Sequence, residues 1–240
     1  MNGMEMEQTI RALERKGYKV TVCSAAEEAV RYLQGQLHGW TIGFGGSQTL
    51  TELDLRHALA EDNTVYVPDF PAEGETFDST ARDASGANIF LLSANAISDE
   101  GDIINIDGTG NRLAGSLYGH DKVIYIVGRN KFGGTLEEAV RRARNVAGPK
   151  NALRLHCKTP CAMAVVKDLE TKFREKHHAK GQIDQLEWQR FLEKLDTSDL
   201  NTHCYDCRSP QRICGSLLIH MKKPHGMDAE VVIIDKDIGF

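Results

Sequence analysis

Short apolar runs alternate with longer polar or amphipathic stretches along the chain. The clearest runs are IFLLSA at 89–94 and VIYIVG at 123–128, which are rich in large and β-branched residues. Runs of this length bounded by turn-forming residues are typical of buried strands in a parallel sheet. Strands are therefore predicted at 41–44, 64–67, 89–94, 122–128 and 230–235. Helical periodicity between them is clearest over 5–16, over 24–34 and from Leu136 to Ala147.

This alternation predicts an α/β fold with a mostly parallel sheet flanked by helices, in a single domain over 1–240. The length is sufficient to bury a substantial core. Residues 165–202 follow a different pattern, because they are helical by propensity and nearly balanced in charge. One amphipathic helix is predicted after Gly181 from the spacing of Leu186, Phe191, Leu192 and Leu195, together with Trp188.

The polar stretch between the two clearest apolar runs is the first candidate for a binding site. Turn dipeptides flank the short run IINI, so a small hairpin or an added strand is predicted over 95–107. Gly108-Thr109-Gly110-Asn111 then leads into a predicted helix that carries Arg112. Glycines before a helix let backbone N–H groups approach an anion, and the helix dipole favours the negative charge. A ligand is therefore expected here.

A second glycine loop, Gly45-Gly46-Ser47, follows the predicted strand at 41–44. A helix comes next, with Ser47 or Thr49 as its N-cap. Strand, glycine loop and capped helix together can bind an anion, although adjacent glycines also occur in turns for geometric reasons alone. We expect the two glycine loops to face one pocket at the carboxyl ends of neighbouring strands, within about 15 Å of each other.

The residues expected around that pocket could hold a small carboxylate or phosphate. They are Gly45, Gly46, Ser47, Thr49, Asn95, Asp107, Gly108, Gly110, Asn111, Arg112 and Lys131. Asp107 and Lys131 are the candidates for a catalytic role. Three of these assignments have a structural alternative: Asn95 could be a turn residue, Asp107 a turn residue or cap, and Lys131 a surface side chain.

Composition narrows the function further. A formal net charge of −5 and a pI near 6.0 argue against a general nucleic-acid-binding protein. The sequence contains neither an apolar run of the roughly 20 residues that a membrane helix needs nor a signal-peptide pattern, so a cytoplasmic location is expected. GTGNRLAG lacks the third glycine of a dinucleotide-binding motif, so neither NAD nor FAD is predicted.

Several segments together resemble the lactate-utilization (LUD-domain) family. They are GFGGSQTL, SANAISDEGDIINIDGTGNR, VGRNK, RNVAGPKNALRL, TPCA, CYDCRSPQRIC and VVIIDKDIGF, and they span most of the chain. A weaker similarity to sugar-phosphate isomerases concerns the fold, the ribose-5-phosphate isomerase/CoA-transferase (NagB/RpiA-like) type of α/β architecture.

The family resemblance implies a component of a multi-protein system that oxidises lactate to pyruvate, with iron–sulfur proteins as partners. The ligand would be lactate, another hydroxy acid or a phosphate compound. One alternative is a stand-alone isomerase or transferase acting on a sugar phosphate or an acyl-CoA. Another is a binding or regulatory module without catalytic activity.

Six cysteines in a chain expected in the cytoplasm are reduced thiols or metal ligands rather than disulfides. Cys204 and Cys207 have the C-x2-C spacing that lets two sulfurs reach one soft cation, either zinc or an iron–sulfur cluster. The family resemblance adds Cys161 as a further ligand, with Cys157 as its competitor. The predicted metal ligands are thus Cys161, Cys204, Cys207 and Cys214, and the alternative is four thiols without a metal.

In the family pattern the TPC and CxDC elements are close together, whereas 162–203 separate them here. A helical insertion is therefore expected over 165–202, followed by a cysteine-rich loop over 203–215. Inserted helices usually serve packing or subunit contact, so the insertion is expected either to pack within the chain or to join copies of it into a homo-oligomer.

Overall fold

The computed structural model describes residues 3–177, 181, 183–193 and 200–240. Its contacts group the chain into two compact units, Met1–Ala143 with Cys214–Gly239, and Arg144–Ile213 with Phe240. Within the described residues, no helix is both long enough and apolar enough to cross a membrane. The organisation of 1–240 as one domain stays a prediction.

The first unit alternates helices with strands. Its helices are α1 (Gly3–Arg15), α2 (Ala26–Gln36), α3 (Gln48–Glu52), α4 (Leu55–Ala60), α5 (Phe77–Ser85), α6 (Asn111–Leu117) and α7 (Leu136–Arg142). Its strands are β1 (Lys19–Cys23), β2 (Thr41–Phe44), β3 (Thr64–Tyr66), β4 (Ile89–Leu92), β5 (Ala96–Ile97), β6 (Ile103–Asp107), β7 (Lys122–Gly128), β8 (Ser216–His220) and β9 (Asp228–Ile234). A 3₁₀ turn, Arg129–Lys131, follows β7, and a π-helical turn, Ala143–Ala147, follows α7.

Six strands form one parallel sheet in the order β1-β9-β7-β4-β2-β3. Alternate residues of its central strands pack on opposite faces: Phe90 and Tyr125 belong to one apolar cluster, and Leu91 and Ile124 to the other. Both faces are thus buried, which explains why β4 and β7 are continuous apolar runs rather than alternating ones. The predicted α/β class with a mostly parallel sheet is confirmed.

A second sheet has three antiparallel strands in the order β5-β6-β8. β5 and β6 form the hairpin that the sequence predicted over 95–107. β8 pairs with all of β6, with His220 opposite Ile103 and Ser216 opposite Asp107. The end of β6 is thereby fixed directly before the turn at 108–111.

The second unit is helical, with α8 (Gly148–Arg154), α9 (Pro160–His177) and α10 (Gln185–Glu193). Val165, Leu169 and Leu200 form its apolar cluster. The Phe173 ring packs edge-on against the Trp188 ring of α10, at 5.4 Å between centroids. The predicted insertion over 165–202 contains most of α9 and all of α10, while 178–180, 182 and 194–199 lie outside the described residues.

Candidate functional site

The glycine loop lies at the carboxyl end of β2. Gly45 N donates to Leu91 O at 2.8 Å and so extends the pairing of β2 with β4. Ser47 is the N-cap of α3, because its backbone is extended and its Oγ accepts from Leu50 N at 3.4 Å. Of the two caps that the sequence allowed, Ser47 is the one used.

The Arg112 side chain links the glycine loop to the turn at 108–111. Its Nη1 donates to Gly46 O at 3.4 Å, and its Nη2 donates to Ile106 O. A Cβ built on Gly45 would lie only 2.7 Å from Arg112 Cγ, so the absence of a side chain at Gly45 makes room for this link. The two loops predicted to share one edge of the sheet are therefore in direct contact.

Asp107 caps the turn that begins α6. Its Oδ2 accepts from Gly110 N at 3.0 Å and from Arg112 N at 3.2 Å. Gly110 has a φ of 92°, a left-handed conformation that glycine adopts without strain. Gly108 is exposed in this turn, and Asn111 is the first residue of α6. These contacts favour the capping role that the sequence left open, and a catalytic role for Asp107 stays a prediction.

Asn95 is held by hydrogen bonds on several sides. Its Oδ1 accepts from Ile106 N at 2.7 Å and from Arg112 Nη2 at 3.4 Å. Its backbone carbonyl accepts from Arg142 Nη1. Burial lowers the pKa of Arg142 to about 10, against an opposing effect of the Asp237 carboxylate. The Asn95 side chain therefore positions the hairpin and Arg112, a structural role different from that of a turn residue, and its contact with a ligand stays a prediction.

Thr49 and Lys131 are both buried, each with 1% of its surface exposed. Thr49 Oγ1 accepts from Ser93 Oγ at 3.3 Å, and a Cβ built on Gly239 would lie 2.2 Å from the same atom. Asn130 Nδ2 donates to Gly239 O at 3.0 Å. The segment near Gly239 therefore covers Thr49. Lys131 is not the surface side chain that the alternative proposed, and its role as a ligand-binding cation stays a prediction.

A cavity of about 90 Å³ opens beside the glycine loop. Its wall consists of Phe44, Gly45, Gly46, Ser47, Leu50, Thr51, Asp54, Arg56, Val67, Pro68, Asp69 and Phe70. The Arg56 guanidinium carbon lies 4.0 Å from the centroid of the Phe70 ring. The Asp69 carboxylate lies over Gly46, with Oδ2 3.1 Å from a Cβ built there.

Sequence reasoning missed Arg56, Asp69 and Phe70. None of them belongs to a glycine loop or to another recognisable motif, and Arg56 is on α4 while the other two follow β3. The position of Asp69 shortly after a predicted strand was the available signal, since side chains there lie at the edge where ligands bind.

Replacing Gly45 with alanine should lower the free energy of unfolding by about 1–3 kcal/mol, because the new methyl group displaces Arg112 from its carbonyl acceptors. Urea denaturation measures this change. The control is Gly35→Ala in α2, where a Cβ has no neighbour within 4 Å. That variant should gain up to about 1 kcal/mol, since alanine is the better helix former. Equal stability of the two variants would contradict the role given to Gly45.

The six cysteines all lie among the described residues, and no disulfide joins any two of them. Cys161 Sγ lies 3.2 Å from Thr159 Oγ1 near the start of α9. Cys204 Sγ accepts from Asp206 N at 3.4 Å and lies 3.9 Å from Arg144 Nη2. Within the described ranges, no three His, Cys, Asp or Glu side chains are arranged to hold a metal ion. A metal therefore stays a prediction of the sequence, with the ligands Cys161, Cys204, Cys207 and Cys214.

In comparisons with known proteins, the chain matches one family model and a solved structure. The family model is described as LUD domain and matches residues 6–186. The solved structure is the crystal structure of a DUF162 family protein from Deinococcus radiodurans at 1.70 Å resolution. It has 14% sequence identity and a TM-score of 0.47, and the match covers 95% of this chain and 96% of that chain. No curated protein sequence matches the chain.

Proposed function

The chain belongs to the LUD-domain family, and from this premise we propose that it binds a small hydroxy acid anion such as lactate. It does so as one component of a multi-protein system that oxidises lactate to pyruvate. Iron–sulfur proteins are the partners that accept the electrons, while the residues of this chain bind and orient the anion.

The observation that carries the proposal is the meeting of the glycine loop with the turn at 108–111. They meet at the carboxyl edge of a parallel sheet, where ligands of open α/β sheets bind. Arg112 and Lys131 follow β6 and β7 and are both buried. Buried cations near a cleft raise the local positive potential and so favour an anion over a neutral ligand.

A strain that lacks this chain tests the physiological part of the proposal. We expect it to grow normally on glucose and poorly on lactate, and we expect the wild-type gene to restore growth on lactate. Titration calorimetry of the purified chain with L-lactate tests the binding part. Normal growth of the deletion strain on lactate would contradict the proposal, as would turnover of a sugar phosphate or an acyl-CoA by the chain alone.

We also propose that Cys161, Cys204, Cys207 and Cys214 hold one zinc ion or one iron–sulfur cluster, as the sequence pattern predicts. Protein purified without oxygen should then contain stoichiometric zinc or iron by mass spectrometry. Cys207→Ser should lose that metal and melt at a lower temperature, because metal binding contributes to folding free energy. Cys23→Ser, a change in the buried cysteine of β1, should retain it. Wild-type protein without zinc or iron would contradict the site.

A further inference from the structure

On the basis of the proposed function, we further propose that the ligand binds in the cavity between the glycine loop and Phe70. The ligand class is a short α-hydroxy carboxylate. Its carboxylate binds Arg56, and its hydroxyl donates to Asp69. Arg56 and Asp69 thereby become the residues that determine specificity.

Arg56 is prepared to receive a carboxylate. Its guanidinium carbon lies 4.0 Å from the centroid of the Phe70 ring, a cation–π contact that restricts the side chain without using its N–H donors. It forms no ion pair or hydrogen bond with the described residues. A guanidinium in this state can form two parallel hydrogen bonds with a carboxylate, the strongest arrangement available to arginine.

The glycine loop contributes further donors to the same wall. Gly46 and Ser47 both line the cavity, and their backbone N–H groups have no acceptor among the described residues. The Ser47 oxygen accepts from Leu50 N, so its hydroxyl proton remains available to donate. Backbone amides and a hydroxyl proton beside a guanidinium together provide several hydrogen-bond donors to an anion.

Two carboxylates also line the cavity, and they differ in their surroundings. Asp54 Oδ1 lies 2.7 Å from His57 Nδ1, and both side chains are largely exposed, so solvent screens the Asp54 charge. The Asp69 carboxylate lies over Gly46, inside the wall. A carboxylate has about four acceptor positions, so Asp69 can accept from a ligand hydroxyl in addition to a protein donor. Asp69 would thus favour a hydroxy acid over a simple fatty acid.

The size of the cavity limits the length of the ligand. A cavity needs about 10–15 Å³ of volume to hold one water molecule, so a cavity of about 90 Å³ holds about six groups of the size of a water molecule. Lactate has this number of non-hydrogen atoms. Phe44, Leu50 and Val67 provide the apolar part of the wall for its methyl group.

Titration calorimetry of the full chain with L-lactate, propionate and inorganic phosphate tests this site. The wild-type protein should bind L-lactate more tightly than propionate or phosphate. Arg56→Gln should weaken L-lactate binding about tenfold or more, as loss of a hydrogen bond to a charged group does. Arg56→Lys should bind L-lactate with an affinity between that of the wild type and that of Arg56→Gln. Arg11→Gln, a change in an exposed arginine of α1, should bind as the wild type does.

Asp69→Asn tests the hydroxyl contact separately. It should bind L-lactate and propionate with nearly equal affinity. Adding Arg56→Gln to this variant should still weaken the binding of L-lactate. Melting curves confirm that each variant is folded, and Arg56→Gln should melt near the wild type because its described contact is one stacked ring.

The outcomes separate this site from the proposed function. If wild-type protein binds L-lactate and Arg56→Gln binds equally well, the cavity is wrong and the proposed function stands. If phosphate binds as tightly as L-lactate, the ligand class is wrong. If none of the three ligands binds to the wild-type protein, both the cavity and the proposed binding function are overturned.

Discussion

Replacing Glu230 with alanine will lower the free energy of unfolding by about 2–3 kcal/mol, because it removes a buried carboxylate that accepts hydrogen bonds from three side chains. Glu230 is on β9, between β1 and β7, with none of its surface exposed. Its Oε2 accepts from Lys122 Nζ at 2.5 Å, and its Oε1 accepts from Tyr32 OH at 2.6 Å. Without the carboxylate, these donors lose their shared acceptor.

Urea denaturation at neutral pH measures the loss. Glu230→Gln should be less destabilising than Glu230→Ala, because an amide oxygen can still accept from Tyr32 and Thr21. The matched control is Asp228→Ala on the same strand, whose side chain is exposed and whose replacement should cost less than about 0.5 kcal/mol. A loss below about 1 kcal/mol for Glu230→Ala would show that the buried carboxylate contributes little net stability.

The same carboxylate predicts the behaviour in acid. Burial raises the pKa of Glu230, but hydrogen bonds from Lys122, Tyr32 and Thr21 outweigh it, so the pKa lies below its usual range. A carboxyl group with a depressed pKa stabilises the fold above its unfolded pKa, which is about 4.3. That stabilisation is lost as the pH falls through the folded pKa, so Glu230 makes stability depend on pH only below about pH 4.3 and contributes fully at neutral pH.

His220 should lower the free energy of unfolding at mildly acidic pH, above the range in which Glu230 titrates. Burial lowers the pKa of His220 to about 4. Its Nε2 lies 3.0 Å from Ser116 Oγ, and its ring meets the Tyr125 ring edge-on at 6.1 Å between centroids. The native state therefore keeps the imidazole neutral, whereas the unfolded chain binds a proton below about pH 6.5.

The unfolded state thus binds more protons between about pH 6.5 and pH 4, so the free energy of unfolding falls as the pH is lowered through this range. The loss should reach about 3 kcal/mol near pH 4, at about 1.4 kcal/mol for each unit of pKa difference. Urea denaturation from pH 4 to pH 7 measures this loss. His220→Phe should flatten the dependence, and His225→Gln, at an exposed histidine, should leave it unchanged. An equal slope in His220→Phe and the wild type would contradict this assignment.

The central strands could be predicted from the sequence because their signal is local. β4 and β7 are buried on both faces, so each is a short apolar run bounded by turn residues. The hairpin of β5 and β6 was also predictable, since its turn dipeptides are adjacent to the run IINI. The order of strands was not, because β9 lies between β1 and β7 although far from both in sequence. That placement results from long-range pairing, which no local pattern encodes.

Some features of the candidate site could likewise be predicted from the sequence, and others could not. The glycine positions and the turn at 108–111 could be found from composition, because glycine is needed where backbone turns sharply or another group approaches closely. The contacts of Arg112 could not be found, since they depend on the space that Gly45 leaves and on the carbonyl groups of two other segments. The cavity beside Arg56 and Asp69 also depends on tertiary structure, because its walls come from separate elements.

The sequence by itself determined the α/β class, the family and the two glycine loops, because apolar periodicity and turn chemistry act over a few neighbouring residues. Only the tertiary structure decided that Asp107 caps α6, that Gly239 covers Thr49, and that an arginine and a carboxylate share a cavity at the sheet edge. Such contacts join segments far apart in the chain. They are set by the packing of whole elements, which spacing along the sequence does not specify.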